Sequence, residues 1–164
     1  MRRRRLCVLD TTVASDVQSA ALWQALVRLN LDVLVPDVVA LTEFNKPELA
    51  QARRVGVGFE SLTAYEEDTA ACLAASYRRP SANDLAALAM AKHRGATLLT
   101  GDGPVRAAAG SENVATHGVL WLLDEMVDEA VITPERAASA LQAMLDDGSR
   151  LPRDQCARRF AAWG

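Results

Sequence analysis

Apolar residues along this chain fall into two kinds of run. Short unbroken runs, LCVLD at 6–10 and DVLVP at 32–36, mark strands buried on both faces. Longer segments carry apolar residues three and four apart, as with Leu22, Leu26 and Leu29, and predict an amphipathic helix over about 13–30. Pro36 suits a helix start, and VVALTEF continues that helix. Pro47 then breaks the pattern, with a short helix in NKPELAQARR. GVGFESLTA (56–64) holds the least marked strand, and 65–77 is helical. The clearest helix is SANDLAALAMAKHRG (81–95), with Ser81 as N-cap and Gly95 closing it. ATLLTG is the next strand, a short helix covers 104–109, and NVAT (113–116) is the last strand.

From His117 onward the pattern is wholly helical. LWLLDEMVDEA is amphipathic, TPERAASALQAML has Thr133 as N-cap with Pro134 at the first helical position, and LPRDQCARRFAAWG adds a third helix. Strands and helices alternating over the first 116 residues predict an α/β fold. It has three α/β/α layers and a mostly parallel sheet of about five strands. Residues 1–164 then form a single domain, with an α/β core at 6–116 and a helical extension at 117–164.

Composition narrows the class of protein. With 164 residues, half of them apolar, the chain can bury a sizeable core, and no run reaches the roughly 20 apolar residues of a membrane span. MRRRRLCVLD has a basic start without a long apolar region, which makes a poor signal peptide. The arginine run reads as a frayed tail. Cys7, Cys72 and Cys156 lack CxxC spacing and fit reduced thiols in a cytoplasm. With His93 and His117 the only histidines, zinc is disfavoured. Residues 6–164 carry 14 basic against 21 acidic side chains, a balance that argues against a protein that simply coats nucleic acid. A nuclease stays open, because carboxylates that hold divalent cations are negative until metal binds.

Four acids deserve comparison. In a parallel sheet the C-terminal strand ends share one edge, where ligands bind. Asp10 ends the first strand and Asp102 follows the strand at 97–100, so both belong there. Glu43 lies two turns into the helix after the second strand, on a stripe with Val39. Asp84 sits in the first turn after Ser81 and shares a stripe with Leu88 and Ala91. Each also has a plain structural explanation: Asp10 as a helix cap, Asp84 closing a capping box with Ser81, Glu43 pairing with Lys46, and Asp102 as a turn residue. Taken together, four converging carboxylates repel one another unless a cation neutralises them. Oxygen ligands favour Mg²⁺ or Mn²⁺, which can activate water and stabilise charge on a phosphodiester.

The stretches VLDTTV, VVALTEF and SANDLAALAMAKHRGATLLTGD, in this order and spacing, resemble the PIN domain. The resemblance spans roughly 6–116, and the helical remainder looks like a PIN-like subgroup with a longer C-terminal extension. It implies a Mg²⁺- or Mn²⁺-dependent ribonuclease of the VapC-like toxin type that cleaves RNA and is held inactive by a cognate antitoxin. Asp10, Glu43, Asp84 and Asp102 become the catalytic and metal-binding quartet, with Thr12 supporting Asp10. Asp37 and Glu48 rank below Glu43. Arg106 is a candidate phosphate contact, against a solvated helix residue. Many members carry another acid or Asn just after the last Asp; here Gly103-Pro104-Val105 implies a weaker second metal. PIN proteins are often homodimers, and Trp121–Leu122–Leu123 reads as core or interface. Two other readings stand beside this one. VLDTTVAS loosely resembles a haloacid-dehalogenase-like phosphohydrolase, although Thr12 stands where that motif needs a second Asp. The same fold could also serve as a non-catalytic module that binds RNA or protein.

Overall fold

The computed structural model describes residues 4–164. Five strands form one sheet: β1 (Arg5–Leu9), β2 (Leu31–Pro36), β3 (Gly58–Glu60), β4 (Thr97–Leu99) and β5 (Thr116–His117). Their order is β3-β2-β1-β4-β5, and every pairing is parallel. Ten helices complete the described residues: α1 (Thr11–Ser19), α2 (Trp23–Arg28), α3 (Asp37–Glu43), α4 (Lys46–Val55), α5 (Ala64–Ser76), α6 (Ala82–Arg94), α7 (Gly103–Ser111), α8 (Val119–Asp128), α9 (Pro134–Asp146) and α10 (Arg153–Trp163). The expected α/β/α architecture is the one observed.

The layers follow from the two-residue repeat of the central strand. Cys7 and Leu9 of β1 enter one buried cluster, built with Val13 and Val17 of α1, Leu26 of α2 and Val39 of α3. Val8 points to the other face, into a second cluster with Leu85, Leu88 and Ala91 of α6 and Val105 of α7. Helices α8, α9 and α10 join the first cluster through Leu122, Leu123, Met126, Leu141, Met144, Cys156 and Trp163. Leu122 and Leu123 are therefore core rather than interface, while Trp121 is half-buried and stacks on His117 with centroids 4.1 Å apart. No helix among the described residues is long and apolar enough to cross a membrane.

Three expectations need correction. The helix expected over 13–30 is two helices, because the chain turns at Ala20–Leu22. Ala21 has φ 54°, its N–H bonds to Gln18 O, and the Leu22 N–H reaches back to Val17 O at 3.0 Å. This is the hydrogen-bond signature of a Schellman closure, with alanine where glycine is usual, so the sequence shows no stop. The last strand lies at 116–117, not 113–116. Asn113 has φ 60° and the Val114 N–H bonds to Ala109 O, so both residues close α7, and His117 belongs to the sheet. The expected frayed tail also fails where it can be seen. Arg2 and Arg3 lie outside the described residues, but Arg5 begins β1 and Arg4 bonds the Asp32 carboxylate at 2.8 Å and the Leu31 carbonyl at 2.6 Å.

One ion-pair network fastens α5 to α6. Glu66 is 1% exposed, and Arg94 grips it with two nitrogens at 2.9 and 3.0 Å while a third reaches Glu60 at 2.9 Å. Arg94→Ala would leave the Glu66 carboxylate buried without its counter-ion. We expect a loss of about 3 kcal/mol in urea denaturation, compared with under about 1 kcal/mol for Glu60→Ala, whose carboxylate is half exposed.

Candidate active site

Strand order reverses between β1 and β4, since the chain moves outward from β1 through β2 and β3 on one side and through β4 and β5 on the other. A crevice is expected beyond the strand ends at such a point. The register pairs Leu9 with Leu99, and the Asp10 N–H donates to Leu99 O at 3.0 Å, which fixes Asp10 beside Thr100. Asp10 has no exposed surface. Its Oδ1 accepts from the Val13 N–H (3.0 Å) and the Thr12 hydroxyl (2.9 Å), and its Oδ2 accepts from the Thr100 hydroxyl. Burial still dominates, pushing the Asp10 carboxyl up to about 6 despite these three donors, with the nearby Asp84 carboxylate adding to the rise.

The same threonines position the neighbouring loop. Thr12 accepts from the Gly101 N–H at 3.1 Å and Thr100 accepts from the Asp102 N–H at 3.1 Å. Asp102 Oδ1 caps α7 through the Val105 N–H at 3.3 Å. Capping thus occurs at both Asp10 and Asp102, each through one carboxylate oxygen; the other oxygen of Asp10 is held by Thr100, whereas that of Asp102 makes no hydrogen bond among the described residues.

Glu43 and Asp84 come from helices on opposite faces of the sheet. Asn83 Nδ2 donates to Thr42 Oγ1 at 3.1 Å, which ties the residue before Asp84 to the residue before Glu43. Asp84 is 5% exposed. Its N–H donates to Ser81 Oγ at 3.1 Å, but the reciprocal half of the capping box is absent, and its buried Oδ1 has no hydrogen-bond partner. Glu43 makes no ion pair with Lys46. Partial burial raises the Glu43 carboxyl, and the Asp84 charge raises it further. The plain structural explanations therefore fail for these two acids. Asp37 and Glu48, by contrast, have structural partners: Asp37 accepts from the Ser61 hydroxyl, and Glu48 closes a capping box with Asn45.

A cleft of about 430 Å³ lies over this edge, lined by Thr12, Glu43 and Asp102 and walled on the far side by the loop between α9 and α10. It also contains Asp16, which the sequence reading missed. Asp16 is 9% exposed and sits one turn after Thr12 on α1. Burial pushes its carboxyl up to about 6, opposed by a hydrogen bond from Ser149 and supported by the Asp10 and Asp147 charges. The available signal was its spacing: four residues after Thr12 is the same helix face. Arg106 lies beyond Asp102, exposed, with one guanidinium nitrogen donating to Thr100 O at 3.0 Å.

The model of a PIN-domain family matches residues 6–164. This chain belongs to the PIN-domain family. No curated protein matches it by sequence. PIN domains are generally metal-dependent nucleases, and membership displaces the haloacid-dehalogenase reading. In this PIN domain the available donors are carboxylate and hydroxyl oxygens, suited to a hard divalent cation. The buried, unpartnered Asp84 Oδ1 is the position that most needs a positive partner. No three His, Cys, Asp or Glu side chains among the described residues stand at the spacing of a ready-made metal site. The donor chemistry fits a cation, without a preformed cage for it.

Proposed function

We propose that this PIN domain is an endoribonuclease that hydrolyses RNA phosphodiester bonds with Mg²⁺ or Mn²⁺. The observation that carries the reading is Asp84: a buried carboxylate with an oxygen no hydrogen bond satisfies, close enough to raise the carboxyls of both Asp10 and Glu43. Structural acids are normally satisfied by hydrogen bonds or counter-ions, whereas a buried carboxylate oxygen without a partner, with other carboxylates near it, suits a cation.

Asp10, Asp84 and Asp102 would hold the ion, with Glu43 completing the set. When bound, the cation supplies charge neutralisation at the scissile phosphate and acidifies coordinated water. Thr12 and Thr100 keep Asp10 oriented, and Thr100 also holds the backbone of Asp102, so one hydroxyl positions two acids. Glu43, at the rim of the cleft, accepts a hydrogen bond from the attacking water and aligns it. In the hydrolysis that follows, the water oxygen bonds to phosphorus, one P–O bond to ribose breaks, and a proton passes to the leaving oxygen.

The proposed biological setting is a VapBC-type toxin acting in the cytoplasm and silenced by a cognate antitoxin, which rests on the resemblance carried by VLDTTV and SANDLAALAMAKHRGATLLTGD. Cleavage of a structured RNA with Mn²⁺ is expected for the wild type, with a loss of about 100-fold or more in Asp10→Asn and Asp102→Asn. Equal cleavage by all three would refute the assignment. Metal-free RNA or protein binding with no cleavage under any divalent cation would instead mark a non-catalytic module. Growth arrest that requires Asp102 and is relieved by the neighbouring gene's product would identify a toxin.

A further inference from the structure

The acid cleft does not end at the acids. It shares Gly101, Arg150 and Leu151 with a second cleft of about 550 Å³ between the start of α8 and α10. Charge changes sign across that boundary. Asp16, Glu43, Asp102 and Asp147 line the first cleft, whereas Arg106, Arg150 and Arg159 line the second, with Asp124 its one acid. Arg159 is already committed, holding both Asp124 oxygens at 3.0 and 2.7 Å. Arg106 spends one nitrogen on Thr100 O and approaches closely over Gly118, where a Cβ would lie 3.1 Å from its Nη2. Arg150 is exposed and makes no hydrogen bond or ion pair among the described residues. Its loop is nonetheless held in place, because Ser149 donates to Asp16 and Ser19 donates to Asp147.

We propose that the second cleft is the subsite for the single-stranded RNA next to the scissile bond, with Arg150 gripping the adjacent phosphate and Arg106 assisting it. This rests on the nuclease reading above and assigns the substrate path within it. A strand bound over acids alone would be repelled along its whole length. A free guanidinium at the mouth of the acid cleft offers paired N–H donors to phosphate oxygens, and a neutralised Arg159 does not. The volume lies within the ~300–1,000 Å³ typical of ligand sites. The helical extension, through its α9–α10 loop, thereby becomes part of the substrate site.

The test is binding of a fluorescent single-stranded RNA oligonucleotide in EDTA, read by anisotropy across a salt series, with cleavage kinetics in Mn²⁺ alongside. Arg150→Ala is expected to weaken binding about tenfold and to flatten the slope of log affinity against log salt by about 0.7, the value for one lost phosphate contact on a single strand. KM should rise with kcat little changed, Arg150→Lys should recover part of the affinity but less than full bidentate contact, and Arg153→Ala, outside both clefts, should match the wild type. Wild-type affinity, salt slope and KM in Arg150→Ala, with wild-type cleavage intact, would overturn the subsite and leave the nuclease. Reduced RNA binding by Arg150→Ala, in a protein that never cleaves, would keep the subsite and remove the nuclease. Failure of the wild type both to bind RNA in EDTA and to cleave it in Mn²⁺ would overturn both, and wild-type cleavage in Mn²⁺ without any binding in EDTA would overturn the subsite alone.

Discussion

Metal-free protein is expected to melt about 5 °C higher near pH 5 than near pH 7, by calorimetry or circular dichroism in EDTA. Asp10 and Asp16 each have a carboxyl raised to about 6 by burial, above the ordinary value of 3.8. The folded state therefore binds more protons than the unfolded chain in the window between about 4 and 6, and stability falls as pH rises through it. Moving from about pH 7 to about pH 5 relieves roughly 1 kcal/mol for each acid, at about 2–4 °C per kcal/mol for a chain of this size. His117 opposes the trend, since burial lowers its pKa and the unfolded chain then binds the extra proton as pH falls through 6.5. At still lower pH the sign reverses. Glu66 is held below its usual value of 4.5 by Arg94, so its contribution is lost once acid protonates it. An optimum near pH 5 is the expected shape, and added Mn²⁺ should flatten the rise by favouring the ionised acids. A stability maximum at about pH 7 or above in EDTA would contradict the placement of these buried acids.

Asp84→Asn is expected to move activity and stability in opposite directions. On the proposed assignment of Asp84 as a cation ligand, cleavage with Mn²⁺ should fall by about 100-fold or more. The metal-free protein should gain about 1 kcal/mol in urea denaturation at neutral pH. A buried carboxylate with an unsatisfied oxygen disappears, and with it the repulsion it exerts on Asp10 and Glu43. The same variant should abolish the rise in melting temperature that Mn²⁺ produces in the wild type. A residue that merely closes a capping box would behave otherwise: its replacement would cost stability and leave cleavage unchanged.

The sheet was legible because its central strands carry unbroken apolar runs, and the ends of those runs led directly to Asp10 and Asp102. The helix at 81–95 was equally open to reading, with Ser81 and Gly95 marking both ends. The element ends that stayed hidden had a common cause. Helix ends closed by Ala21 and Asn113 in left-handed conformations carry no glycine to announce them, so one helix was read too long and one strand too early. Among the acids, position along the chain located Glu43 and Asp84 but could not say whether their oxygens were paired. That depended on the missing half of the Ser81 capping box and on the absence of a bridge to Lys46, which are facts of side-chain geometry. Asp16 offered only its spacing from Thr12, and Arg150 offered no signal, because the cleft they line is closed by the α9–α10 loop, which returns from more than a hundred residues away to lie against α1.

The alternation along β1 has a mechanical consequence. Glu43 rides on a helix packed into the cluster beneath Leu9, while Asp84 rides on one packed into the cluster above Val8. The acids are thus mounted on opposite layers of the molecule, bridged by the sheet and clasped directly by the Asn83–Thr42 bond next to them. That clasp, together with the sheet, sets how the two acid-bearing helices sit against each other.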